Sequence, residues 1–356
     1  MLKTDTELCS LLGIRYPIVQ AGMAGGATTP ELAAAVSQAG GLGTIGAAYM
    51  EPEALREAVR KIRILTHEPF AVNVFAVQPP DDFSRLEEVQ RALKPFREEL
   101  NLPAPPDTYE SPDRREALLE VCLEQSVPVI STAFGCLDRQ QTRKIKEKGI
   151  KLIAMATTVE EGLEAQEAGA DAVTAQGAEA GGHRGTFSLD RHPDGALIGL
   201  MSLVPQMADT LRVPVIAAGG IADGRGIAAS LALGAAGVQI GTLFLTAKEA
   251  GIHPLYKKAV FEADGTDTVV TKSFSGRPAR GIRNRFINEF EKSGTAPLPF
   301  PSQNTVTKEL RAAAGKQGEP ELMSLWAGQS AGMMTEEAEA AAIVRRLIEE
   351  AKKVLG

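Results

Sequence analysis

The sequence predicts an α/β fold, a (β/α)₈ TIM barrel with a small inserted α+β domain after its eighth strand. Three observations carry this. Eight short β-branched or apolar runs alternate with amphipathic stretches, the pattern of parallel strands joined by helical crossovers. Three of the helix-to-strand turns carry glycine (Gly40-Gly41, Gly169-Ala170, Gly234-Ala235), where a helix commonly stops. From about Thr246 to Pro320 the alternation ceases, and Gly, Pro and short polar pieces prevail. Eight repeating units favour a closed barrel over an open sheet.

The strands are expected at 17–20, 42–45, 70–74, 127–131, 151–154, 172–175, 213–217 and 237–240. The first crossover should be helical over 29–39, with Thr29 as N-cap and Pro30 at the first helical position. Further helices are expected at 52–65, 138–148, 159–168 and 225–233. The third crossover, 78–112, is long and rich in Pro and charge, with a helix near 83–100 and a Pro-rich loop after it. A tail at 335–354 resumes the helical period, with Ala340, Ile343, Val344, Leu347, Ile348, Ala351, Val354 and Leu355 on one face. The division that follows is a barrel from 1–245 and 321–356, and an inserted unit, 246–320, over the barrel mouth.

Bulk composition narrows the function classes. The 356 residues exceed the roughly 250 of a plain barrel, which leaves room for the insertion. With 44% hydrophobic and 23% charged residues the chain reads as a soluble globular protein, and no apolar run approaches the roughly 20 residues that span a bilayer. The early acids of Met1 to Glu7 do not read as a secretory or transit signal, so a cytoplasmic location is expected. Cys9, Cys122 and Cys136 form no C-x-x-C pair, which fits a reducing compartment. A net charge of -7 without a Lys/Arg cluster argues against nucleic acid as a partner. No His/Cys/Asp cluster has the spacing of a metal site.

Two constellations carry chemistry. In such a barrel, phosphate is usually held by the loops after strands seven and eight. Here those loops are Ala218-Gly219-Gly220-Ile221 and Gly241-Thr242, whose glycines let backbone N–H groups approach phosphate oxygens. The second constellation, Gln176 to Gly185, begins at the end of strand six and places His183 among Gly181, Gly182 and Gly185. Catalytic residues sit at that end of a barrel strand, and imidazole titrates near neutral pH. His67, His192 and His253 lack such a setting. Two other patterns fail on context. Gly41 to Gly46 matches G-x-G-x-x-G, but a helix precedes it and a strand runs through it. Gly328 to Gly332 matches a nucleophile elbow, but no histidine follows the serine.

Gln20 to Gly26, Gln176 to Gly185, Ala217 to Ile221, Gln239 to Thr242 and Thr271 to Gly281 together resemble the nitronate monooxygenase family over nearly the whole chain. The resemblance implies FMN as cofactor and oxidation of alkyl nitronates, such as propionate 3-nitronate, by dioxygen to a carbonyl compound and nitrite. Carried over by position, Asn73 and Gln176 come within reach of the flavin ring, and Met23 and Ala24 pass beside it. Gly181, Gly182, Gly219, Gly220 and the segment Gln239, Ile240, Gly241, Thr242 hold the ribityl chain and phosphate. A loop near Gln329 could approach the flavin in this family. His183 is the expected catalytic residue, either as base toward a neutral nitroalkane or as a cation pairing with the nitro or nitronate oxygens. The expected partners are a small-molecule substrate and dioxygen, with a homodimer allowed. The competing readings are a flavin-type enoyl-acyl-carrier-protein reductase, an NAD(P)H:quinone reductase, and a non-catalytic FMN or phosphate-ligand binding protein.

Overall fold

The structure, a computed structural model, describes residues 5–356. Of the N-terminal stretch read as signal-free, residues 1–4 lie outside the described residues. Eight parallel strands form one sheet: Ile18–Gln20, Gly43–Gly46, Phe70–Phe75, Val129–Ala133, Lys151–Ala156, Ala172–Gln176, Val215–Ala218 and Gly237–Ile240. They follow one another around the barrel in chain order, and the first pairs with the last, Ile18 opposite Val238 and Gln20 opposite Ile240. Nearly every strand residue is buried, as expected of a parallel sheet covered on both faces.

The seam between the first and second strands closes the ring. Val19 bridges Leu42, the Gln20 N–H donates to the Leu42 carbonyl at 2.9 Å, and the Leu42 N–H donates to the Ile18 carbonyl at 2.8 Å. Beyond that point the Gln20 side chain takes over. Its Oε1 accepts from the Thr44 N–H at 2.9 Å and its Nε2 donates to the Thr44 carbonyl at 3.2 Å. One buried amide thus supplies both halves of a missing ladder rung.

Two strands begin two residues later than the sequence suggests, at Val129 and Val215. Both follow a Val-Pro step, and Pro128 and Pro214 have no N–H to give to a ladder. The helices Pro30–Gln38, Pro52–Leu65, Arg139–Glu147, Val159–Glu167 and Gly224–Ala232 lie where expected, and Thr29 caps the first by accepting from the Leu32 N–H. The glycine stops at 40, 169 and 234 all have positive φ. Helices Glu7–Leu12, Arg115–Glu124 and Leu200–Thr210 were not foreseen, the last because Pro205 sits inside it. The last helix, Ala340–Leu355, starts later than the expected 335 and leaves Val354 exposed, but buries the rest of its apolar face on Gly224–Ala232 and Pro30–Gln38. A Cβ on Gly224 would come within 2.2 Å of the Ala351 nitrogen, so that contact needs a glycine.

The segment after the eighth strand is α+β. Helices Pro254–Glu262, Arg285–Lys292, Ser302–Val306 and Lys308–Gln317 surround a hairpin of Thr268–Thr271 and Ala279–Ile282. Strand Ala279–Ile282 pairs on its other edge with Gly182–His183, Ala279 opposite His183 and Arg280 opposite Gly182. Phe274, Phe286, Phe290 and Leu310 lie in the same apolar cluster as Val344 and Leu347 of the last helix, so one core runs through the barrel and this segment. The third crossover helix, Leu86–Glu99, leans on the segment through Phe96 and Phe286, ring centroids 4.9 Å apart.

Candidate active site

A cavity of about 400 Å³ opens at the C-terminal ends of the barrel strands. Met23 and Ala24 reach it from the turn after the first strand, Asn73 from the third strand, and Gln176 from the end of the sixth. The following loop brings Gly181, Gly182 and His183; the turn after the seventh strand brings Gly219 and Gly220; and the eighth strand and its turn bring Gln239, Ile240, Gly241 and Thr242. Every residue singled out from the sequence lines this one space.

The two glycine turns form a cradle of free donors. Among the described residues, the backbone N–H groups of Gly220, Ile221, Gly241 and Thr242 donate to no protein acceptor. Four such groups on adjacent loops suit an anion with several oxygens. Gly219 and Gly220 have φ of 118° and 70°, and a Cβ on Gly219 would meet the Ala180 nitrogen at 2.9 Å. The helix that follows, Gly224–Ala232, does not point its free end at this cradle for want of a cap. Asp223 already accepts from the N–H groups of Arg225 and Gly226.

Asn73 donates from Nδ2 to the Ser131 Oγ at 2.9 Å. Gln176 holds its own loop, donating from Nε2 to the His183 carbonyl at 3.0 Å and accepting at Oε1 from the Gly185 N–H at 2.8 Å. That loop is fixed by three arginines absent from the sequence reading. Arg184, fully buried, donates to the carbonyls of Gln176, Gly177 and Ala196 at 2.7–2.9 Å. Arg277 donates to the carbonyl of Thr186 and lies 3.8 Å from the Phe134 ring centroid, a cation–π contact. Arg280 donates to the Ala178 carbonyl at 3.0 Å. Loop carbonyls, rather than carboxylates, take the donors of these cations.

His183 is half-buried, facing the cavity, in a wall of Phe134, Phe300 and Trp326 with ring centroids 5.8, 6.2 and 5.5 Å away. Its Nε2 lies 2.9 Å from the Ser275 hydroxyl. Desolvation, followed by the charges of Arg277 and Arg311, pushes its pKa down to about 3. This environment favours the neutral imidazole, the form that can accept a proton. The ordinary imidazole value assumed for a lone residue is lost because Phe134, Phe300 and Trp326 desolvate it and Arg277 and Arg311 add two guanidinium charges.

Sequence reasoning missed this wall, and with it Ser275, Tyr49, Asn304 and Arg311. Phe134 carries a φ of 72° just beyond the fourth strand, a costly conformation for a bulky residue and one that no composition signal announces. Trp326 is the chain's one tryptophan, the only compositional hint available. His253 also borders the cavity, but its Nδ1 accepts from the Leu255 N–H as a helix cap, a structural task. The loop at Gly328 forms no nucleophile elbow; the Gly328 N–H donates to Thr242 Oγ1, the Gln329 N–H to the Glu179 carbonyl, and Ser330 lines the cavity. The strand Gly43–Gly46 runs through the G-x-G-x-x-G match, as that match's rejection requires.

Comparison with known proteins shows the family to which this fold belongs. Residues 5–350 match the family model described as nitronate monooxygenase. A probable nitronate monooxygenase of Staphylococcus saprophyticus is 43% identical over 99% of both chains, and one of Staphylococcus aureus is 44% identical over 92% of both. Among solved structures, a nitroalkane oxidase from Streptomyces ansochromogenes superposes with a TM-score of 0.91 at 39% identity, covering 98% of this chain and 99% of that one. FabK from Thermotoga maritima superposes with a TM-score of 0.78 at 34% identity, covering 99% of this chain and 98% of that one.

Proposed function

Because the chain belongs to the nitronate monooxygenase family and is an oxidoreductase of that kind, we propose that its cofactor is FMN and its substrates are small alkyl nitronates, such as propionate 3-nitronate. The observation that carries this reading is a neutral His183 and a cradle of four unpaired N–H groups in one cavity. The cradle fits a single terminal phosphate, and the space between it and His183, bordered by Met23, Ala24, Asn73 and Gln176, fits a flat ring. Bound there, FMN supplies the redox chemistry that moves electrons from nitronate to dioxygen.

The chain's own residues then have definite tasks. Gly220, Ile221, Gly241 and Thr242 hold the phosphate by backbone, and Gly181, Gly182, Gly219, Gln239 and Ile240 border the rest of the cofactor. His183, neutral above its depressed pKa, accepts the α-proton when a neutral nitroalkane is offered. A preformed nitronate needs no such transfer. Phe134, Phe300 and Trp326 keep water from the reacting carbon. Residues 246–320 act as a cover over the cavity mouth, supported by Tyr256, Asn304 and Arg311 among its lining.

Nitrite release from a nitronate by the purified yellow protein tests the reading; a colourless protein that takes up no added FMN defeats it. The likeness to FabK favours one second reading, an enoyl-thioester reductase, and NAD(P)H consumption with an enoyl thioester, or with a quinone, separates these. We assign the enzyme to the cytoplasm on its cysteine usage and leave a homodimer as an expectation for sizing experiments. Among the described residues no helix is long and apolar enough to cross a membrane.

A further inference from the structure

Of the residues that line the cavity, Arg311 alone carries a formal charge, and no Asp or Glu lines it. Its guanidinium is held in place by neutral groups. Nε donates to Thr307 Oγ1 at 3.2 Å, and Nη2 donates to the carbonyl and Oδ1 of Asn304 at 2.7 and 2.8 Å. Among the described residues Nη1 has no protein acceptor, and no Asp or Glu offsets its desolvation. The other site arginines differ. Arg184, Arg277 and Arg280 donate mainly to backbone carbonyls, and none of the three lines the cavity. Arg311 and His183 line the same cavity, and the Arg311 charge adds to the depression of the His183 pKa.

A desolvated cation without a counter-charge is costly, and one pre-oriented by three hydrogen bonds with donors left over is suited to a planar, two-oxygen anion. We propose that Arg311, positioned by Asn304 and Thr307, is the residue that binds the negative charge of the substrate, either its nitronate oxygens or a carboxylate on its chain. This assignment rests on the nitronate reading for the substrate's identity, but the anion site itself does not.

The test compares holoenzyme, Arg311→Gln and Arg311→Lys. Losing one charge-assisted contact should weaken anion binding by about 10–100-fold. Calorimetric titration with sodium nitrate, a planar oxyanion that cannot be oxidised, should show that loss in Arg311→Gln, with part of the affinity kept in Arg311→Lys. FMN content should stay the same. In steady-state assays the KM for a nitronate should rise by a similar factor, while the KM for the neutral nitroalkane should move less than about threefold. A rise with both ethyl nitronate and propionate 3-nitronate assigns Arg311 to the nitronate oxygens, and a rise with propionate 3-nitronate alone assigns it to the carboxylate. Unchanged nitrate binding, equal rises for neutral and anionic substrates, or loss of FMN from Arg311→Gln would overturn the proposal. If no nitronate is oxidised but nitrate binding still depends on Arg311, the substrate reading fails and the anion site stands.

Discussion

His183 and Ser275 are joined by a 2.9 Å contact between Nε2 and Oγ, and the same hydroxyl lies 3.1 Å from the Arg277 carbonyl, to which it can donate. If the serine proton goes to that carbonyl, Oγ accepts from Nε2–H and the lone pair of His183 is left on Nδ1. Ser275 is then a positioning residue that sets the tautomer of the base. Ser275→Ala should lower kcat for a neutral nitroalkane by about tenfold, the worth of one orienting hydrogen bond, while sparing FMN content and nitronate turnover. An equal loss on both substrates would show that the serine merely supports the fold.

The depressed pKa of His183 has two consequences of known sign. The profile of kcat/KM against pH for a neutral nitroalkane should show no inflection near 6.5 that disappears in His183→Asn, because the group is already neutral down to about pH 3. Loss of this base in His183→Asn should cost roughly 10²–10⁴-fold on the nitroalkane and less on the nitronate. For stability, the unfolded chain takes up a proton below about 6.5 that the folded chain refuses until about 3. The stabilisation is complete above 6.5 and is lost as pH falls, by up to about tenfold in the unfolding equilibrium per pH unit. Chemical denaturation of wild type and His183→Asn between pH 7 and 5 should show a shallower slope in the variant.

The two glycines of the seventh-strand turn should respond differently. At Gly219 an alanine meets both a φ of 118° and the Ala180 nitrogen at 2.9 Å, so Gly219→Ala should move the backbone and lower both stability and FMN affinity. At Gly220 the nearest atom to a Cβ is 3.4 Å away and φ is 70°, so Gly220→Ala should cost only about 1 kcal/mol of stability. Gly220→Leu, by contrast, should fold and lose flavin. Absorbance at the flavin maximum against protein concentration checks all three; full FMN in Gly220→Leu would mean the phosphate lies elsewhere.

Arg184, which does not itself line the cavity, offers a stability test. Arg184→Met removes a buried charge together with three hydrogen bonds to the Gln176, Gly177 and Ala196 carbonyls. The desolvation cost of the guanidinium is relieved, but three buried acceptors are left bare, for a net loss of about 3–5 kcal/mol. A shift of the urea midpoint reads this directly, and an unchanged midpoint would show that the loop is held by its strand pairing alone.

Much of this architecture is written locally in the chain. Periodicity, caps such as Thr29, and stop glycines such as Gly169 depend on neighbours within a turn, so the barrel strands and most of its helices could be placed from sequence. The glycine cradle and His183 were legible for the same reason, since their backbone demands are local. Phe134, Phe300, Trp326 and Arg311 were not, because nothing near them in the chain marks a residue whose role comes from meeting another more than a hundred positions away. The pKa of His183 belongs to that second class. Its causes are a wall and two charges contributed mostly by the cover.

The strand Ala279–Ile282 is paired on one edge with its hairpin partner and on the other with Gly182–His183, and the Arg184 N–H adds a 2.8 Å bond to the Pro278 carbonyl. His183 therefore takes its register from residues nearly a hundred positions downstream. For chimeras between relatives, the useful crossover points do not flank residues 246–320 as though that segment were a cassette. The loop after the sixth strand must travel with it, because a cover from one parent and a histidine strand from another would have to rediscover their alignment before the base could find its substrate.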